Sequence, residues 1–153
     1  MSGFKELLKP GQRIWVAGSS NEPTALLAAL QDAALPDNLT FLQFPLAGYN
    51  NTDFTSLSAT ARQRTFFMSQ VLKNAAAGRL DFIPMQMRAV FDYLAGNVDV
   101  ALIQAAYDRN GQLRIGPNLD FVDAALSSAS IVIAEVNSGF HAPLGCPLLE
   151  QER

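Results

Sequence analysis

The first residues along the chain that could bind a ligand form the polar segment Gly18–Glu22, which lies between an apolar run and a predicted helix. A helix N-terminus presents unpaired N–H groups and a partial positive charge, so this segment can bind a carboxylate or a phosphate. Neither a Walker loop nor a GxGxxG pattern is present, so the spacing indicates no nucleotide. An ordinary capped helix is the alternative interpretation. The predicted substrate-binding residues here are Gly18, Ser19, Ser20 and Asn21.

A second polar group lies at the end of the strongest predicted strand, which covers residues 98–106. Gln104 is near the end of this run, and Asp108 follows just beyond it. A glutamine at this place can donate a hydrogen bond to an acyl oxygen, so both residues are predicted to bind substrate. The alternative is that Gln104 binds neighbouring backbone and that Asp108 shapes the hairpin predicted by the next Asn-Gly pair.

The other potentially reactive side chains have structural interpretations. Glu135 lies in the apolar run IVIAEV, where a carboxylate must receive hydrogen bonds or lie at the exit of the strand. His141 is the only histidine and Cys146 the only cysteine. No Cys/His spacing suits zinc, so no metal site is predicted. Cys146 is expected to be an inert thiol, and no catalytic residue is predicted in the chain.

Composition excludes several classes of protein. The 153 residues fit one domain with a sizeable core. A net charge of −3 and the lack of a basic run argue against nucleic acid as a partner. The sequence contains no apolar run of 18 residues, so no membrane span is predicted. The first residues do not resemble a signal peptide. The single cysteine favours a reducing compartment, so a cytoplasmic location is expected.

Apolar runs alternate with amphipathic segments, which predicts strands that alternate with helices. Strands are predicted at residues 13–17, 39–44, 64–68, 81–84, 98–106 and 130–136. Helices are predicted at residues 22–35, 69–77, 87–94 and 119–128. Residues 45–60 are expected to form a loop and residues 139–153 an irregular tail. This order predicts an α/β fold: an open, mostly parallel sheet with helices on both faces and a small hairpin, with its ligand crevice beyond the C-terminal strand ends.

Several short motifs occur in a recognisable order along the chain. They are Gly18 with Glu22-Pro23-Thr24, Asp81–Pro84, Asp99–Gln104, Asp108 with Gly111 and Gly116, and Ile133–Asn137. In this order and spacing they resemble the N-terminal domain of the acetyl-CoA hydrolase/transferase family, which includes 4-hydroxybutyrate CoA-transferase. The resemblance implies a fold of the CoA-transferase and sugar-phosphate isomerase type, as a single domain over residues 1–153.

The resemblance also implies a mechanism of covalent catalysis. In this family a glutamate attacks an acyl-CoA and forms an acyl anhydride, then a glutamyl-CoA thioester. That glutamate lies in a second, C-terminal domain, which this chain is expected to lack. The implied function is the N-terminal half, as a fragment or a subunit, of a CoA-transferase or acyl-CoA hydrolase that moves CoA between short carboxylic acids. CoA is then a substrate, and no tightly bound cofactor is expected.

Two other functions remain open at this point. The first is a non-catalytic module that binds CoA or another anionic metabolite. The second is a stand-alone enzyme of the sugar-phosphate isomerase type, which would need a carboxylate base and a basic phosphate clamp. The expected partners are CoA or acyl-CoA, together with further copies of the chain or a separate polypeptide that forms the C-terminal half. Neither nucleic acid nor a membrane is expected as a partner.

Overall fold

A computed structural model describes residues 4–150 of the chain. The strands are β1 Arg13–Val16, β2 Thr40–Gln43, β3 Arg62–Thr65, β4 Leu80–Phe82, β5 Val100–Tyr107, β6 Leu113–Ile115 and β7 Ile131–Val136. The α-helices are α1 Thr24–Gln31, α2 Met87–Leu94 and α3 Val122–Leu126. Short 3-10 helices cover Phe4–Leu7, Ser19–Asn21, Phe54–Ser56 and Val71–Asn74. Within the described residues, no helix is long and apolar enough to cross a membrane.

The strands form one open, mostly parallel sheet. Its order is β4-β3-β2-β1-β5, all parallel, and β7 also pairs parallel with β5. β6 pairs antiparallel with the last residues of β5, beyond Leu102, the last β5 residue that pairs with β1. The predicted hairpin therefore forms, and the predicted α/β fold class is confirmed.

Side chains from β1 enter two separate cores because successive residues of a strand point to opposite faces. Ile14 and Val16 pack in a core that includes Leu26, Leu27 and Leu30 of α1. Trp15 packs in the other core, with buried residues of α2 and α3. Helices thus cover both faces of the sheet, as the alternation of strands and helices predicts.

Two predicted elements differ from the structure around β3. The strand lies at Arg62–Thr65 instead of residues 64–68, because its polar residues pair in register with Thr40–Gln43 of β2. The predicted helix at residues 69–77 is wrong, since only the 3-10 helix Val71–Asn74 forms there. A hydrogen bond from the Ala76 amide to Thr55 Oγ1, of 3.0 Å, holds this segment against the preceding loop instead.

Two predicted helices are longer than those in the structure. α1 ends at Gln31, four residues before the predicted end, and the following residues turn toward Pro36. α3 begins at Val122 instead of residue 119 because Asp120 has a φ of 34°, a left-handed conformation that a right-handed helix cannot contain.

Candidate functional site

The strand order reverses between β1 and β5, which is where the sequence predicts the ligand crevice. From β1 the chain proceeds to β2, β3 and β4 on one side, and then returns to the other edge of β1 to form β5. The hairpin after β5 turns back toward β1, because β6 pairs with the last residues of β5 on the edge that β1 occupies up to Leu102. In open α/β sheets, ligands bind at such a reversal of strand order.

The segment after β1 is fixed by close backbone packing. A Cβ atom on Gly18 would lie 2.3 Å from the carbonyl oxygen of Phe44, so only glycine fits there. Ser19 has a φ of 53° and is held by Asn50, a buried residue. The Ser19 amide donates to Asn50 Oδ1 at 2.7 Å, and Asn50 Nδ2 donates to the Ser19 carbonyl at 3.1 Å. These contacts give the segment one defined conformation.

A second loop, residues 116–120, is fastened to the same segment. The fully buried Asn21 donates from Nδ2 to the carbonyl oxygen of Asn118, and its Oδ1 accepts from the Asn118 amide at 3.2 Å. Asn118 Nδ2 lies 3.2 Å from Ser19 Oγ. Asn21 is therefore occupied by internal contacts, whereas Ser20 is exposed and Ser19 half-buried.

Gln104 connects the segment after β1 with the residues at the C-terminal end of β7. Its side chain is buried, with Nε2 donating to the carbonyl oxygen of Glu22 at 3.0 Å. Its Oε1 lies 3.4 Å from Asn137 Nδ2. The structure thus brings Gln104 and the segment after Gly18 together, while Gln104 makes the backbone contact that the alternative interpretation describes. Its role in substrate binding stays a prediction.

Asp108 makes the contacts of a hairpin residue. Its Oδ1 accepts from the amides of Asn110 and Gln112, and its Oδ2 accepts from Arg114 Nε at 2.6 Å. The hydrogen bond from Arg114 lowers the pKa of this buried carboxyl, and the two amides lower it further. Both oxygens are therefore engaged within the hairpin, and its role in substrate binding also stays a prediction.

The N-terminus of α1 already binds a carboxylate of the same chain. Glu135 Oε2 accepts from the amides of Ala25 and Leu26 at 2.8 and 3.1 Å. The N–H groups expected to face a ligand are thus partly satisfied by a glutamate 110 residues away. The sequence indicates that a carboxylate in an apolar strand needs hydrogen bonds, but it does not identify α1 as their source. A cavity of about 340 Å³ adjoins this contact, lined by Ala25, Leu26, Ala134, Glu135, Val136, Asn137 and Ser138.

Two carboxyl groups lie close to this polar cluster. Glu22 is half-buried, and its Oε1 accepts from Gln43 Nε2 at 2.9 Å. Burial raises the pKa of Glu22, although hydrogen bonds from Gln43 and Asn50 oppose the rise. Burial also raises the pKa of Asp120, against a hydrogen bond from Asn118. Such groups are protonated at a higher pH than free carboxyls, so they can donate a hydrogen bond more readily.

The remaining reactive residues lie outside this cluster. His141 is exposed, with Nδ1 3.4 Å from the carbonyl oxygen of Tyr107. Cys146 is buried beside Gly116. Across residues 4–150, no three His, Cys, Asp or Glu side chains are grouped so that they could hold a metal ion.

Comparison with known proteins identifies similar sequences and structures. The model of the acetyl-CoA hydrolase/transferase N-terminal domain matches residues 2–144. A succinyl-CoA:acetate/propanoyl-CoA:succinate CoA transferase of Fasciola hepatica is 25% identical over 136 residues, which cover 85% of this chain and 28% of that protein. The crystal structure of RipA from Yersinia pestis matches with a TM-score of 0.68 and 20% identity, over 84% of this chain and 34% of RipA.

A second RipA structure, of a single-residue variant, matches with a TM-score of 0.71 and 21% identity. These structural matches show a shared fold. The chain spans about a third of the length of the proteins it matches, 28% and 34% in the two cases above. Because the family model covers nearly all of the sequence, the chain belongs to the acetyl-CoA hydrolase/transferase family, as its N-terminal domain.

Proposed function

We propose that the chain is the N-terminal part of a CoA-transferase or acyl-CoA hydrolase that moves CoA between short carboxylic acids. It acts together with a second part, which supplies the catalytic glutamate and most contacts to CoA. This proposal rests on the family match over residues 2–144. The small share of each relative that the chain covers supports the need for a second part.

The acyl end of the thioester is the ligand group that suits the predicted crevice between β1 and β5. Its candidate contacts are neutral polar groups and carboxyls of raised pKa, such as Ser20 and Glu22. The α1 amides, which would otherwise attract a phosphate, bind Glu135. We therefore place the phosphates of CoA on the second part of the enzyme. The same contact weakens the alternative of a stand-alone module for anionic metabolites.

Ligand titration tests the position of the site. We expect CoA and acetyl-CoA to bind modestly, because half of a site cannot bury most of a CoA-sized ligand. Backbone amide shifts should centre on Ser19, Ser20, Asn21 and Gln104. Ser20→Ala should weaken acetyl-CoA binding, whereas Ser130→Ala, before β7 at the N-terminal end of the strands, should not. Shifts centred on residues 139–146, or none at saturating CoA, would contradict this site.

An activity assay tests whether the chain needs a second part for CoA exchange. The chain alone should exchange no CoA when acetyl-CoA and a panel of short carboxylic acids are supplied. Robust turnover that disappears in Glu22→Gln or Glu135→Gln would show that the chain carries its own catalytic carboxylate. Activity that returns when the second part is added would support the proposal.

The proposal also includes association with another polypeptide, or with further copies of the chain. Four large apolar side chains at the β3, β4 and α2 side of the sheet are exposed by 37–60%: Phe67, Phe82, Met87 and Phe91. Exposed apolar clusters commonly mark interfaces. Sedimentation across a concentration range measures the association, and a strict monomer in the presence of its partner would contradict it.

We also propose that the protein is cytoplasmic, because its single cysteine favours a reducing compartment.

A further inference from the structure

The strand β7 has the composition of an internal strand but lies at an edge of the sheet. Among the described residues it pairs with β5 and with no other strand. Its residues from Ile131 to Glu135 are half-buried, and Val136 is 47% exposed. The edge strands of soluble proteins are usually protected by lysine, proline or a covering element. The only charged residue of β7 is Glu135, whose carboxylate binds α1.

An open apolar groove adjoins this edge. It has a volume of about 520 Å³, within the range of sites that bury several apolar groups. Strand β7 contributes Val132, Ala134 and Val136, which share one face of the strand. The rest of the lining is also mostly apolar and consists of Leu113, Ile115, Leu126, Leu148, Leu149 and Glu150. An extended segment with apolar side chains can therefore pair with the free edge and fill the groove at the same time.

A second copy of the chain fits this surface poorly. In a two-fold dimer each copy presents the same patch to the other, so β7 could pair with β7, but a groove would adjoin a groove and no apolar segment would fill either one. The matched relatives offer a different occupant. They are about three times as long as the chain, and the matched domain is N-terminal, so a large region follows it in those proteins.

We propose that β7 and the groove beside it form the docking surface for the region that follows this domain in the family. That region adds a β-strand to the free edge of β7 and inserts apolar side chains into the groove. This inference rests on the proposed function, because it identifies where the second part of the enzyme binds.

Site-specific cross-linking in the cells that make the protein tests the surface. A photo-crosslinking amino acid replaces Val136 in the groove. In a matched control it replaces Leu7, which is also 47% exposed but does not line the groove. After irradiation, mass spectrometry identifies the attached peptide. We expect a peptide from the C-terminal region of an acetyl-CoA hydrolase/transferase, with a yield about tenfold above that at Leu7, since edge pairing fixes the two chains in contact.

Three results would overturn the inference: a peptide from a second copy of this domain, a peptide from an unrelated protein, or no yield above the control. The assay of CoA exchange on the purified assembly separates this inference from the proposed function. Exchange without the cross-link at Val136 would refute only the docking surface. The cross-link without exchange would refute only the activity.

Discussion

The contact between Glu135 and α1 makes a quantitative prediction about stability. Its Oε2 accepts two amide hydrogen bonds, of 2.8 and 3.1 Å, at the positive end of the helix. Loss of a capping acceptor costs about 0.5–2 kcal/mol, and loss of the charge alone at a helix N-terminus costs about 0.3–1 kcal/mol. Because the side chain is half-buried, water replaces part of the lost interaction. We expect Glu135→Ala to lower the free energy of unfolding by about 1–2 kcal/mol, and Glu135→Gln by about half as much.

Urea denaturation measures both changes in the free energy of unfolding. The slope of this free energy against urea concentration should be the same in the variants and the unmodified chain. Glu6→Gln, an exposed position on the first 3-10 helix, is the control and should change stability by less than about 0.5 kcal/mol. Hydrogen exchange at the amides of Ala25 and Leu26 should accelerate in Glu135→Ala. A loss no larger than the control, with unchanged exchange at these two amides, would refute the assigned contact.

The same variant also tests why the helix N-terminus is not available to an anion. Glu135→Ala releases two amides that can bind phosphate. Added phosphate should therefore raise the midpoint of unfolding of the variant more than that of the unmodified chain, because it binds only the folded state. Equal effects of phosphate on both proteins would mean that Glu135 does not occupy an anion site.

Two further predictions concern residues near the crevice and in the hairpin. Gly18→Ala should destabilise the chain by about 1–3 kcal/mol, because its Cβ would overlap a backbone oxygen; Gly96→Ala, which has open space, is the control in urea denaturation. Since Arg114 lowers the pKa of Asp108, the charged carboxylate stabilises the fold above the unfolded-state pKa of about 4, and this contribution is lost as the pH falls. In thermal melts across pH, Asp108→Asn should destabilise near pH 7 and lose less stability on acidification; an unchanged pH profile would contradict the assignment.

The sequence predicts the elements that depend on local pattern. The apolar runs at β1, β5 and β7 identify these strands, and the Asn-Gly pair identifies the hairpin. The parallel sheet follows from their alternation with helices. The predicted start of β3 lies two residues after the observed start, because Arg62, Gln63 and Arg64 form no apolar run. Their place in the sheet depends on pairing with β2 and β4, which a linear pattern does not contain.

The sequence predicts a position for the candidate site, but it could not predict the contacts of the residues there. The predicted convergence of the loops after β1 and β5 follows from strand order alone. The hydrogen bonds around the candidate site join residues far apart in sequence: Asn21 with Asn118 across 97 positions, and Ala25 with Glu135 across 110. Asparagine in a loop predicts a turn but does not identify a distant partner. Side-chain contacts of this kind become visible only in the folded chain.

The position of β1 in the middle of the sheet has a consequence for synthesis on the ribosome. On one edge, Arg13 of β1 pairs with Thr40 of β2, 27 positions later, but on the other edge Val16 pairs with Leu102, 86 positions later. The half-sheet β1 to β4 is therefore complete in sequence before the strand that closes its other side has been translated. During that interval the second edge of β1 exposes unpaired backbone groups in the nascent chain. Once β5 has emerged from the ribosome, its pairing with β1 covers that edge and removes one site of aggregation in the growing polypeptide.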